Sequence, residues 1–325
     1  MALSIGVDVG GTKVLAIAID ESGRRVGNEA RRSTPRGSDA LLDVIVGVIT
    51  EVRASLGEVP AAIGVGIPGL IDRRGRLAIG PNLPGIADLP IGNELRARMG
   101  VPIAVDNDAA CAAWAEVKLG AARGASEAFM VTLGTGIGGG VVMDGKLQRG
   151  HNGFAGEPGH MVVEPDGIPC PCGRRGCWER YASGSGLARL ARDAAESGRG
   201  ARLVELAGET ALVQGEHVAI AAGEGDEEAI DVFRQFGWWT ALGIANIVDL
   251  LDPAIVVIGG GLVEAGEIML APTRSAFRDL VMAADRRPEV PIVPAMLGGG
   301  AGAIGAALVG FDRADLRYGR EMGLD

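Results

Sequence analysis

Cys170, Cys172 and Cys177 fall within eight residues and His160 stands ten positions upstream, giving the spacing H-x9-C-x-C-x4-C. Three thiolates and one imidazole complete a tetrahedral zinc shell with no position left for water or substrate, the arrangement of a structural metal and not of a Lewis-acid catalyst. The neighbouring carboxylates gain interest for that reason. Glu157 lies three residues before the histidine and Glu179 two after the last cysteine, so a metal clamp would hold both acids in place for a polar ligand. The competing readings are a disulfide pair with a spare thiol, and glutamates that are ordinary solvated loop charges. The chain shows no signal peptide and opens almost at once on an apolar strand, which points to the cytoplasm, where thiols stay reduced. Cys111, in an alanine-rich helical stretch, reads as a small buried residue.

A second group of residues suits phosphate. Asp8-Val9-Gly10-Gly11-Thr12-Lys13 and Gly134-Thr135-Gly136-Ile137-Gly138-Gly139 each follow a β-like run, and Gly259-Gly260-Gly261 follows the apolar strand 254–258. Consecutive backbone N–H groups converge on an anion where no Cβ intervenes. Each turn alone is equally well a tight hairpin tip, and Lys13 an exposed turn charge; two hairpins together would grip a triphosphate. Gly134-x-Gly136-x-x-Gly139 matches the dinucleotide fingerprint by letter, but Val141-Val142-Met143 continues as a strand where that motif requires a helix. The Gly10–Lys13 turn lacks the Walker A spacing and also precedes a strand.

A third candidate is Asn107-Asp108, directly after a strand and opening the helix that begins Ala109-Ala110-Cys111. Taken alone the pair reads as helix capping, since Asn and Asp are leading N-cap residues. A carboxylate at such a junction is also rigid enough for general-base work.

The elements that must carry these groups follow from periodicity. Strands are expected at 3–8 and 14–19, at 62–67 ending in Pro68-Gly69, near 103–105, at 128–133, 141–143 and 254–258; helices at 39–56, 109–119, 186–198, 227–251 and 302–313. The strand–glycine turn–strand plan recurs after about 125 residues, which implies two related domains: 1–120, joined by the C-terminal helix at about 302–325, and 121–301. A chain of 325 residues with 47% hydrophobic and 22% charged residues suits two globular domains. A net charge of -10 argues against nucleic acid and anionic membranes as partners. No apolar run reaches the roughly 18–20 residues of a membrane span.

The hairpin Asp8–Lys13, Ile67-Pro68-Gly69, Pro81-Asn82-Leu83-Pro84-Gly85, Asp106-Asn107-Asp108, Leu133-Gly134-Thr135-Gly136, Gly156-Glu157-Pro158-Gly159-His160 and the cysteine clamp, in that order over nearly the whole chain, resemble the ROK family. That family comprises repressors, open reading frames and sugar kinases. The resemblance implies an α/β, two-domain actin-like ATPase (ribonuclease H-like) fold with an interdomain cleft, and the activity of an ATP-dependent hexokinase of glucokinase type acting at O6. It implies that Asp108 is the catalytic base, that Gly69, Asn82, Asn107, Glu157, His160 and Glu179 join it in binding sugar, and that Asp8 holds Mg²⁺ through water. Gly10, Gly11, Thr12, Lys13, Gly134, Thr135 and Gly136 would then line the phosphates of ATP, and Gly260 and Gly261 its nucleoside. The clamp would be the family's structural Zn²⁺ site.

The same chemistry on N-acetylglucosamine, mannose or fructose stays open, as does a non-catalytic sugar sensor. Polyphosphate-using relatives usually lack the cysteine clamp, which favours ATP. The DNA-binding head of the family's repressors is not expected, because the first strand begins at residue 3. A homo-oligomer, dimer or dimer of dimers, is expected; Phe236-Gly237-Trp238-Trp239 offers either a dimer face or plain core packing.

Overall fold

The computed structural model describes residues 2–83 and 85–321, with side chains as far as residue 314. Pro84 of the Pro81–Gly85 motif, and the last four residues of the expected C-terminal segment, lie outside the described residues. The chain divides into two compact units: Met1–Ser126, Gly140–Gly156 and Met296–Asp325 form one, Glu127–Gly139 and Glu157–Ala295 the other.

In the first unit, β1 (Leu3–Val9) and β2 (Lys13–Asp20) are buried along nearly their whole length and pair antiparallel from Leu3↔Asp20 to Val9↔Val14. β3 (Arg25–Ser33) is an edge strand that leaves most of its length exposed and carries charge there, which is how edges avoid further pairing. Its lack of apolar alternation hides it from a periodicity reading. α1 (Ser38–Ala54) is followed by β4 (Ala62–Ile67), a small sheet of β5 (Leu70–Ile71), β6 (Leu77–Ile79) and β7 (Ala87–Leu89), then α2 (Ile91–Met99), β8 (Ile103–Asn107) and α3 (Asp108–Leu119). The main sheet has the order β3-β2-β1-β4-β8, with β4 parallel to both β1 and β8.

The second unit begins with β9 (Ala128–Leu133) and β10 (Ile137–Met143), and the division between the units falls within β10. The expected strand 141–143 thus starts four residues earlier, and the turn shrinks to residues 134–136. Gly139 lies within the strand, where a Cβ would stand 2.6 Å from Pro158 and 3.0 Å from the carbonyl of Met130. After β11 (Lys146–Leu147) come α4 (Glu179–Ala182), α5 (Gly184–Glu196), α6 (Ala201–Ala207), α7 (Gly215–Gly223), α8 (Glu227–Leu251), β12 (Ile255–Gly259), α9 (Glu267–Leu280) and β13 (Ile292–Pro294). The order of this sheet is β11-β10-β9-β12-β13. α5 starts before the expected residue 186 because the Ser183 hydroxyl caps it at the N–H of Gly186. α9 contains Pro272, which disguises it as a broken helix in sequence. On α8, Phe236 is wholly buried, while Trp238 is 42% exposed and packs edge-on against Trp239.

The last helix, α10 (Ala301–Glu321), returns to the first unit and runs past the expected end at 313. It packs on α3, β1 and β4 so closely that a Cβ on Gly6 would overlap the carbonyl of Ala303 and one on Gly64 that of Ala306. The sheet is thereby covered on both faces. α1 and α2 bury Leu41, Ile45, Ile49 and Leu95 on one face, and α3 and α10 bury Ala115, Ala303 and Ala307 on the other.

Candidate active site and metal centre

The four expected metal ligands converge in the second unit, with the ligand atoms of His160, Cys170, Cys172 and Cys177 all within 4.8 Å of one another. Cys170 Sγ lies 3.9 Å from His160 Nδ1, and the Sγ atoms of Cys172 and Cys177 are 3.5 Å apart. Tetrahedral zinc with bonds of about 2.3 Å to sulfur requires ligand separations of roughly 3.6–3.8 Å. The residues therefore fit Zn²⁺, and the 3.5 Å sulfur separation is no disulfide. The clamp is shaped by local chain geometry: Cys170 N–H donates to Arg174 O and Gly173 N–H to Cys170 O, a turn that brings the thiols together.

Burial anchors the far end of the clamp. Trp178, next to Cys177, is 0% exposed, donates its indole N–H to Trp239 O at 2.7 Å, and lies on α8 where only glycine fits, since a Cβ on Gly243 would overlap the ring. Glu179 is thus fixed from both sides. Its Oε1 lies 3.1 Å from Cys170 Sγ and 3.7 Å from His160 Nδ1. Its Oε2 would stand 2.7 Å from a Cβ on Gly136, so the clamp and the second glycine turn meet at this carboxylate. His160 turns Nδ1 toward the thiols, leaving Nε2 for another partner. Glu157 precedes the 3₁₀ turn Pro158–His160 and its carbonyl accepts from His160 N–H at 3.2 Å.

In the first unit the strand-to-helix corner divides the work between its two residues. Asn107 is the cap: its Oδ1 accepts from Ala110 N–H at 3.0 Å and its Nδ2 donates to Gly69 O at 3.3 Å. One amide N–H and one oxygen lone pair remain for a ligand. Asp108, the first residue of α3, is released from capping. Burial, and then the charge of Asp8, raise its pKa from 3.8 to about 7. Asp8 itself is raised to about 6 by burial, tempered by Lys13. A carboxylate poised near neutrality is suited to take a proton from a hydroxyl.

Beneath this corner lies an ion pair that no local motif announces. Arg149 Nε stands 2.7 Å from Asp106 Oδ2, with the two side chains 11% and 3% exposed. Arg149 also donates to Val105 O at 2.9 Å, and Asp106 Oδ1 accepts from Asn107 N–H at 2.9 Å. Burial pushes the Asp106 pKa up and the guanidinium opposes it.

At the first hairpin, Gly10 N–H donates to Lys13 O at 2.8 Å, and a Cβ on Gly11 would stand 3.4 Å from Asn82 O, which brings the expected phosphate turn and the Asn82 loop together. In the second, Gly134 N–H donates to Gly136 O at 3.0 Å, while Thr135 sits between them at the tip. None of Gly10, Gly11, Gly134 and Gly136 has a positive φ, so what they contribute is the missing Cβ and not an unusual backbone. Gly260 does need its φ of 85°, and a Cβ there would overlap Leu133 O at 2.3 Å; Gly261 beside it has open space. Gly69 is likewise demanded by the chain itself, with φ of 125° and Ile79 O 2.1 Å from any Cβ.

The clamp makes a direct prediction. Chelation with verified metal loss will lower Tm by about 5 °C or more, because the folded site loses its cross-link. An unchanged Tm would remove the scaffold role.

Residues 4–312 match the ROK family. The chain is 38% identical to a glucokinase of Streptomyces coelicolor over 311 residues, covering 94% of this chain and 97% of that protein. It is 36% identical to a glucokinase of Thermotoga maritima over 280 residues, 86% of this chain and 88% of that one. Among solved structures, a ROK family glucokinase from Streptomyces griseus in complex with glucose and AMPPNP matches with a TM-score of 0.84 and 38% identity, over 96% of this chain and 100% of the other. No helix among the described residues is long and apolar enough to cross a membrane. With the match running through both α/β units, which take the two-domain actin-like ATPase fold of these kinases, the chain belongs to the ROK family.

Proposed function

We propose that this protein is an ATP-dependent glucokinase, transferring the γ-phosphoryl group of ATP to O6 of glucose to give glucose 6-phosphate and ADP. The observation that carries the reading is the corner at Asp108, a carboxylate freed from helix capping by Asn107 and held with a pKa of about 7 in a chain so closely related to glucokinases.

Asp108 accepts the 6-hydroxyl proton as O6 attacks the γ-phosphorus; the bond from phosphorus to O6 forms as the bond to the β,γ-bridging oxygen breaks, and ADP departs. Such a transfer depends on positioning and charge neutralisation more than on covalent help from the protein. Asn107 offers its remaining amide capacity to a ring hydroxyl, and Asn82 and the backbone at Gly69 take others. Glu157, His160 Nε2 and Glu179 supply further donors and acceptors of the kind that sugar hydroxyls require. Gly10, Gly11, Thr12, Lys13, Gly134, Thr135 and Gly136 receive the phosphates, with Gly260 and Gly261 against the nucleoside. Mg²⁺, held by Asp8 through water, would neutralise phosphate charge. Zn²⁺ in the clamp is structural. We assign the protein to the cytoplasm, where the clamp thiols remain reduced.

A coupled ADP-release assay over glucose, mannose, fructose and N-acetylglucosamine tests the substrate. Glucose should give the highest kcat/KM, by about tenfold or more, the factor that one well-made hydrogen bond supplies. A higher value with another hexose would transfer the assignment to that sugar, and failure with all four would end the kinase reading.

A further inference from the structure

The first hairpin is held by a residue outside it. Thr34 follows β3, and its hydroxyl donates to Gly10 O at 2.6 Å while its own N–H donates to Thr12 O at 3.1 Å. Lys13 O is already taken by Gly10 N–H at 2.8 Å. Three of the four carbonyls in Gly10–Lys13 are therefore spent on the protein. Among the described residues, the N–H groups of Gly11 and Thr12 have no such acceptor. The turn consequently offers two donors and leaves only the Gly11 carbonyl without such a partner among these bonds, a balance that favours an anion in a backbone cradle.

From this we infer that Thr34 is a positioning residue for the phosphate groups of the nucleotide: by holding the Gly10 carbonyl it fixes the shared peptide plane and so turns the Gly11 N–H toward the ligand, while its backbone bond to Thr12 O closes the other side of the tip. The inference rests on the proposed role of the Gly10–Lys13 hairpin in phosphate binding. It explains a residue that touches no reacting atom. Without the hydroxyl, the Gly10 carbonyl loses its partner and is free to rotate, bringing a partial negative charge toward the phosphates. The second bond, from the Thr34 backbone, survives any side-chain change, so the turn should loosen without unfolding.

The test compares Thr34→Val, Thr34→Ser and Thr12→Val in the full-length enzyme. Thr34→Val keeps size and β-branching and removes only the hydroxyl bond. It should raise KM for ATP about tenfold, with KM for glucose and the pH profile unchanged and Tm within about 2 °C. Thr34→Ser, which restores the donor, should return KM for ATP to within about twofold of the parent. The inference is overturned by a Thr34→Val enzyme with the parent KM for ATP, by parallel rises in both KM values, or by a serine variant as impaired as the valine. Thr12→Val separates the two levels. If it raises KM for ATP while Thr34→Val does not, the hairpin binds phosphate and Thr34 is not its support. If neither moves it, the hairpin assignment falls as well.

Discussion

Asp108→Asn will lower kcat by about 10²–10⁴ while glucose still binds, because the amide preserves the shape of the carboxyl and cannot take the 6-hydroxyl proton. Isothermal titration with glucose and a coupled turnover assay check the two halves. A variant that turned over at the parent rate would show the base to be elsewhere. In the parent, kcat/KM should fall as pH drops through about 7, where Asp108 gains its proton. The same shift bears on stability. The folded-state pKa of Asp108 stands above its ordinary 3.8, so the folded chain binds the proton more tightly than the unfolded one. Its stabilising contribution is complete below about pH 4 and is lost as pH rises through about 7. Asparagine carries no charge into that site. The variant should therefore melt above the parent at pH 8, with the margin closing by pH 4; a lower Tm at pH 8 would contradict the assigned burial and the repulsion by Asp8.

Arg149→Met should destabilise the protein by about 3–5 kcal/mol, the usual loss when one member of a buried ion pair is removed and the other stays. Asp106 is 3% exposed and would be left charged, or forced to hold a proton, beneath the corner that carries Asn107 and Asp108. The double variant Asp106→Asn/Arg149→Met should recover most of that loss, since no uncompensated charge remains. Urea unfolding of the single and double variants measures both quantities. A single variant within about 1 kcal/mol of the parent, or a double variant no better than the single, would show that the pair does not support the corner.

These two results concern neighbours in space that differ in how readily the sequence shows them. Asp108 stands at a strand-to-helix junction in a short polar run, a pattern visible in one window of residues. Arg149 is 43 positions from Asp106 and precedes an ordinary glycine turn, so nothing local marks it as buried. Glu116 makes the same point. On an alanine-rich helix it would pass for a solvated charge, yet it is 0% exposed and accepts from Ala121 N–H at 2.7 Å and from Leu297 N–H at 2.8 Å. Thr34 reaches back 24 residues to Gly10. Strands β1, β4, β9 and β12 were readable because apolar runs bounded by glycine are local. β3, exposed and charged, and α9, interrupted by Pro272, were not.

The chemistry that depends on short spacing was therefore present in the chain before it folded: three thiols within eight residues of one another and a histidine just upstream leave little choice of metal or geometry. The hairpin glycines belong with them, since a missing Cβ is a property of the residue. Folding settled the quantities that act through space. It divided Asn107 and Asp108 into cap and free carboxylate, placed Asp8 close enough to raise the Asp108 pKa, and set Arg149 against Asp106. Charge repulsion and hydrogen bonding decay with distance between atoms and take no account of distance along the chain, which is why the metal-ligand cluster could be named from the sequence and the raised pKa of Asp108 could not.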